Sequence, residues 1–137
     1  MLAILSAALL GGLATAQENA TYPGDASLYL YRAELQQVVD AGTVSLDMDL
    51  GFHVWLHKTK IRLAGIEAPA SGTEEARQAM VWLTEKLRDA TELGELRIKS
   101  FPAPRGSDIP WIGILFAEGK NLNEAMVAAG LAKAAPR

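Results

Sequence analysis

The chain has 137 residues, half of them hydrophobic, with a formal net charge of −3 and an isoelectric point near 5.4. This length supports one compact domain. The acidic average repels polyanions, so nucleic acid could bind only at a local basic patch. The sequence contains no cysteine, which excludes disulfide bonds and thiolate zinc sites.

The first 16 residues carry no charged side chain and end in Ala14-Thr15-Ala16. This small-x-small ending predicts a secretory signal peptide cleaved near Gln17. A helix of this length would span about 24 Å, less than a ~30 Å hydrocarbon core. A retained membrane anchor and a helix packed in a soluble core therefore remain open. Signal peptide and anchor both imply an exported domain, periplasmic or on the extracytoplasmic face of a membrane. Residues 17–27, with Asn, Pro, Gly and Asp, predict a linker.

The first half of the body has a strand pattern. From residue 28 to residue 50, apolar and β-branched side chains mostly alternate, which predicts two strands joined by a turn at Asp40-Ala41-Gly42. Gly51-Phe52-His53 interrupts the pattern. Residues 54–63 predict a further strand, and residues 65–70 leave the sheet.

A helical pattern follows. Ser71-Gly72-Thr73-Glu74 predicts a capping box, in which a hydroxyl accepts from the amide three residues on and the Glu reaches back. The helix is predicted from Glu74 to about Ala90, with Gly94 as its stop. Its apolar positions recur at steps of three and four: Ala76, Met80, Leu83 and Leu87.

The last third of the chain predicts two short strands and a second helix. The strands cover residues 96–101 and 112–116, around a loop rich in Pro and Gly at residues 102–110. Asn121-Leu122-Asn123-Glu124 predicts another capping box, which opens a helix that Gly130 ends.

These elements predict an α+β domain over residues 28–137. Five strands with two or three small helices are what a five-stranded OB-type β-barrel requires. An apolar N-terminal helix over residues 1–16 would precede the barrel.

Three sequence blocks occur in order: Val38-Val39-Asp40-Ala41-Gly42-Thr43-Val44, Ile61-Arg62-Leu63-Ala64-Gly65-Ile66-Glu67-Ala68-Pro69, and a block from Gly119 to Ala132. Together they resemble the thermonuclease (staphylococcal nuclease-like) family. That family has Asp-Gly-Asp-Thr in the first block and Arg-Leu-x-Gly-Ile-Asp-x-Pro-Glu in the second. The resemblance covers about residues 29–135 and implies the same barrel.

The resemblance also implies a degenerate site. The family cleaves phosphodiesters with calcium, using two metal carboxylates, a Glu base and two Arg that bind phosphate. By position, the residues retained as vestiges are Asp40, Thr43, Arg62 and Glu67. A metal ligand, the base and the second Arg are lost at Gly42, Ala70 and Pro110.

The losses predict a pseudo-nuclease. A general base contributes about 10²–10⁴-fold, and a positioned Arg on a phosphoryl group roughly 10³–10⁵-fold. A chain without both should be close to inert, so we expect no cofactor and no metal site. The role that we expect instead is that of a binding or accessory subunit with a membrane-associated protein partner.

Two other functions stay open. An active calcium-dependent nuclease could use a rearranged site, drawn from Asp40, Glu67, Glu74, Arg62 and Arg105. A binder of nucleic acid or anionic lipid without cleavage could use the only basic cluster, Lys58, Lys60 and Arg62, which Asp47 and Asp49 would partly neutralise.

Structural roles compete with each of these interpretations. Asp40 could cap its turn, and Arg62 could pair with Asp40 or Glu67. His53 and His57 are four residues apart in a strand-like stretch, on one face, but lack a third metal ligand. The tryptophans could be core or interface residues rather than base-stacking platforms: Trp55, Trp82 and Trp111.

Overall fold

The computed structural model describes residues 29–136. The expectations for residues 1–16, as signal peptide, anchor or helix, and for the linker at residues 17–27 lie outside the described part. The elements in chain order are β1 Leu30–Asp40, β2 Thr43–Asp49, β3 Trp55–Leu63, β4 Ile66–Glu67, α1 Glu74–Glu92, β5 Leu96–Pro102, β6 Trp111–Ala117, β7 Lys120–Asn121, α2 Leu122–Ala128 and β8 Lys133–Ala134.

Five strands form a closed barrel. The antiparallel order is β3-β2-β1-β5-β6, with the short β7 beside β6. Parallel pairing of β3 with β6 closes the barrel through two pairs, Arg62 with Ile112 and Leu63 with Gly113. With two helices in residues 29–136 the domain is α+β, and the arrangement is consistent with an OB-type barrel.

One part of the strand prediction was incomplete. Residues 65–70 do leave the barrel, but Ile66–Glu67 then form β4, which pairs with Lys133–Ala134 in a separate two-stranded sheet. Strands of two residues are too short to show an alternating pattern, so the sequence gives no signal for them.

The barrel interior is filled by alternate residues of its strands, and α1 covers it with one apolar stripe. Gly113 lies where β6 meets β3. A Cβ at this position would lie 2.8 Å from Ile98 Cδ1 and 2.9 Å from Ile61 Cγ2, so close packing at the closure requires glycine. The largest fully buried side chains are Val44, Leu46, Ile61, Leu83, Leu87, Leu96, Ile98, Leu115 and Met126.

The first helix begins at Glu74 as predicted, but it is not capped as predicted. Thr73, not Ser71, is the N-cap: its Oγ1 accepts from the Ala76 amide at 3.1 Å. Glu74 is therefore the first helical residue and pairs with Arg77 instead of reaching back. The predicted capping box is wrong because the chain is still turning at Gly72, where φ is +84°.

Both predicted helix stops are confirmed. Gly94 has φ +69°, and the amides of Gly94 and Glu95 donate to carbonyls in the last turn of α1, as in a Schellman motif. Gly130 ends α2 in the same way. The start of α2 also matches, since Asn121 Oδ1 accepts from the Glu124 amide at 3.0 Å. Within residues 29–136, neither helix is long and apolar enough to cross a bilayer.

Asn123, the second residue of α2, connects the helix to the closure of the barrel. Its side chain is buried, accepts from the Leu115 amide at 3.1 Å, and donates to the carbonyls of Ala64 at 2.7 Å and Gly113 at 3.0 Å. The Ala64 amide also donates to the Gly113 carbonyl, at 2.8 Å. One amide side chain therefore joins α2, β6 and the end of β3.

We expect Asn123→Ala to lower the free energy of unfolding by about 2–4 kcal/mol, because it leaves buried backbone groups of β6 and Ala64 without their partners. Guanidinium denaturation followed by tryptophan fluorescence measures the change. Glu124→Gln, on the exposed neighbour, is the control and should change stability by roughly 0.5 kcal/mol or less. Equal effects of the two substitutions would contradict the role assigned to Asn123.

Candidate functional site

A shallow cavity lies at the mouth of the barrel, where the β1–β2 turn meets the segment that follows β3. Its volume is ≈ 310 Å³. The cavity brings together five of the positions that the resemblance singles out, so the order of motifs in the sequence does produce one site in space. These five are Asp40, Gly42, Thr43, Arg62 and Ala70.

The remaining acidic candidates do not line this cavity. Glu67 is exposed and lines a separate cavity with Glu75 and Lys133, because neighbouring residues of β4 alternate and it is Ile66 that faces the mouth. Glu74 lies in a third cavity, which Asp40 also borders, and its carboxylate is bound to Arg77.

The two positions on the β5–β6 loop hold no side-chain ligand at the mouth either. Arg105 is exposed in this loop and does not line the cavity. Pro110 comes just before β6, and its carbonyl accepts from the Ala103 amide at 2.8 Å. The rearranged set of Asp40, Glu67, Glu74, Arg62 and Arg105 is therefore spread over several surfaces.

Asp40 holds the turn that precedes β2. Its Oδ1 accepts from the Gly42 amide at 2.8 Å, the geometry of an Asx-turn. This is the turn-capping role that the sequence allowed. One of the two carboxylate oxygens is thereby directed at the backbone rather than into the cavity.

Gly42 is in close contact with the segment after β3. A Cβ built on Gly42 would lie 2.9 Å from the Cβ of Ala68, so any side chain there requires Ala68 to shift. Gly42 is also fixed through its carbonyl, which accepts from the Leu63 amide at 2.9 Å. The position of the missing metal ligand is thus filled by a neighbouring methyl group, and sequence reasoning gave no sign of Ala68.

Arg62 lies across from Thr43 in the β2–β3 register, and it is exposed. Within residues 29–136 it makes no ion pair, so the expected salt bridge to Asp40 or Glu67 is wrong. The carboxylate of Asp40 serves its turn, and Glu67 lines another cavity. Of the cations in residues 29–136, Arg62 alone lines this cavity, and it could bind an anion there.

The basic cluster lies on the outer surface of β3. Lys58 and Lys60 are exposed, and no ion pair to either is found in the described part of the chain. Lys58 has φ +52° and lies at a bulge, where the register of β2 and β3 shifts between Leu46 and Met48. Neither Asp47 nor Asp49, the acidic residues of β2 expected to neutralise the cluster in part, forms an ion pair with these lysines.

Asp47 holds the bulge. Its carboxylate is buried, accepts from the Lys58 amide at 2.8 Å and from Gln36 Nε2 at 2.7 Å, and lies 3.0 Å from His57 Nδ1. Burial alone would raise the pKa of Asp47. The bonds from the Lys58 amide, His57 and Gln36 outweigh burial and lower this pKa below its ordinary value. The Asp47 carboxylate is therefore engaged by groups of the two neighbouring strands, β1 and β3.

The aromatic and histidine candidates have mainly structural surroundings. The Trp55 ring stacks with that of His57 and carries the Arg32 guanidinium 5.4 Å from its centroid. Trp82 packs against the core, whereas Trp111 is 43% exposed.

His53 lies in the turn before β3, so its predicted place on the same strand face as His57 is wrong. Across residues 29–136, no three His, Asp or Glu side chains cluster closely enough to hold a metal ion.

No protein-family model matches the chain, and no curated protein matches it. The resemblance to thermonucleases therefore rests on the three sequence blocks.

We expect Gly42→Ala to lower the free energy of unfolding by about 1–3 kcal/mol, because the added methyl overlaps that of Ala68. Adding Ala68→Gly should recover part of this loss, and a double-mutant cycle measures the coupling. Ala70→Gly lines the same cavity without this contact and is the matched control. Equal recovery by Ala68→Gly and Ala70→Gly would contradict the packing assigned to Ala68.

Proposed function

We propose that this domain is a catalytically inactive, thermonuclease-like barrel of OB type. In this proposal it acts on the extracytoplasmic side as a binding or accessory subunit of a membrane protein assembly. The observation that carries the proposal is the contact at the mouth, where Ala68 occupies the space that a side chain at position 42 would need.

The chemistry of the mouth supports binding rather than hydrolysis. Calcium takes six to eight oxygen ligands, and among residues 29–136 Asp40 is the only carboxylate that lines this cavity. A general base has to lie within hydrogen-bond reach of the attacking water, and Ala70 offers none. Arg62 can bind an anion, but without a base or a metal it has no means of activating water.

The export and partner parts of the proposal rest on the sequence. Residues 1–16 are uncharged and would direct or anchor the chain outside the cytoplasm. A domain that lacks a complete set of catalytic residues at the mouth and is held at a membrane is suited to be a subunit that binds a protein partner there. Fold alone does not fix function, so this role depends on surfaces other than the mouth.

Anion binding without cleavage is the second candidate. Lys58, Lys60 and Arg62 are exposed and lie on one strand, which favours contact with a phosphate-rich surface. Three cations displace few counterions, at about 0.9 per phosphate contact. Together with the net charge of −3, this makes tight binding of nucleic acid at physiological salt unexpected.

The full chain should not cleave single-stranded DNA, double-stranded DNA or RNA in calcium, because the mouth lacks a base and most of a metal site. A fluorescence assay on labelled oligonucleotides, with and without a chelator, measures this. Arg88→Ala, on the exposed face of α1, is the control for Arg62→Ala. Calcium-dependent cleavage that Arg62→Ala abolishes and Arg88→Ala retains would establish the nuclease alternative instead.

A further inference from the structure

The β2–β3 hairpin ends in an exposed phenylalanine. Phe52 is 99% exposed and has φ +55°, between Gly51 at +83° and His53 at +60°. Two backbone hydrogen bonds of 2.9 Å hold the turn, from the Leu50 amide to the Val54 carbonyl and from the Val54 amide to the Gly51 carbonyl. Left-handed backbone is unfavourable for a bulky residue. Within residues 29–136 the Phe52 ring packs against no other side chain, so its position calls for another explanation.

Phe52 is the centre of a larger apolar surface. Of the nine large hydrophobic side chains exposed in residues 29–136, six lie at this end of the barrel. The register of Arg32 with Asp49 brings the start of β1 beside the end of the hairpin. We name this surface the apolar tip, made of Tyr29, Leu30, Leu50, Phe52, Val54 and Leu56.

Cations border the apolar tip on the hairpin. Lys58 and Lys60 are exposed, while the nearby acids are engaged: Asp47 by the bulge, and Asp49 by the Gly51 amide at 2.9 Å and by Arg32 at 3.6 Å. Asp47 and Asp49 keep their negative charges, but neither pairs with a lysine, so both ammonium groups are accessible to anionic headgroups within residues 29–136.

The shape of the tip favours a lipid bilayer. A turn with a projecting aromatic ring and flanking apolar side chains is convex, and it can enter the boundary between headgroups and acyl chains without a complementary pocket. Lysines beside such a tip remain at the surface and attract anionic headgroups. Residues 1–28, with their uncharged first 16, join the described domain at Tyr29, which belongs to the same tip.

We propose that the apolar tip inserts into the interfacial region of an anionic bilayer, with Lys58 and Lys60 against the lipid headgroups. This inference rests on the proposed membrane location of the chain and is independent of the loss of hydrolysis. It orients the barrel with Phe52 towards the membrane and the mouth, at the other end of β2, away from it.

The test uses the absence of cysteine from the sequence. Val54→Cys in the full chain places an environment-sensitive NBD dye on the tip, and Val81→Cys, of similar exposure on α1, is the matched control. Both are mixed with vesicles of phosphatidylglycerol and phosphatidylcholine. The dye at position 54 should become brighter and shift to the blue, whereas the dye at position 81 should not change. Phe52→Ser should abolish the response at position 54.

The headgroup contact is tested with charge reversal. Lys58→Glu combined with Lys60→Glu should reduce the signal at position 54, and Lys86→Glu combined with Arg88→Glu on α1 should not. Equal signals in vesicles of phosphatidylcholine alone would overturn the role given to the lysines.

Flotation of the same samples separates the two proposals. Chains that float with an unchanged dye at position 54, or with equal responses at positions 54 and 81, would overturn insertion of the tip and leave membrane location intact. Chains that do not float would overturn membrane location itself. A response at position 54 only after a membrane protein is added would assign the tip to a protein contact and overturn the lipid proposal.

Discussion

The closure of the barrel depends on a few polar contacts around Asn123. Strands β3 and β6 share only two residue pairs, and the Asn123 amide strengthens this seam by donating to the carbonyls of Ala64 and Gly113. The seam fixes where the chain leaves β3, so the following segment passes over the β1–β2 turn. Ala68 then packs against Gly42. The packing of Ala68 against Gly42 at the mouth therefore depends on the contacts that close the barrel.

The two ends of the barrel have different chemistry. Within residues 29–136, the mouth is lined by Arg62 and by one carboxylate, Asp40, whose Oδ1 accepts from the Gly42 amide in a turn. The opposite end exposes Phe52 and its apolar neighbours, beside two lysines that form no ion pair within the described residues. The proposed function, a domain that binds rather than cleaves and does so at a membrane, uses both ends.

Local patterns predicted most of the fold, because strand alternation and the glycines that end helices act over a few residues. Gly94 and Gly130 are examples. Contacts between distant residues were not predictable: Ala68 against Gly42 and Asn123 against Ala64 depend on closure of the barrel. Arg62 does not form the expected salt bridge, because the positions of Asp40 and Glu67 relative to Arg62 also depend on closure of the barrel. In the sequence, Gly51-Phe52-His53 interrupts the strand pattern, and nothing in that pattern shows that Phe52 remains exposed.

The amide of Gly42 gives the most direct test of the central claim, that the mouth no longer works as a calcium site. Its proton is donated to Asp40 Oδ1, so its chemical shift in ¹H–¹⁵N spectra reports any ion that the Asp40 carboxylate binds. On titration of the full chain with calcium, the account predicts no saturable shift at Gly42 or at its neighbour Thr43. A saturable, calcium-dependent shift at Gly42 would contradict it.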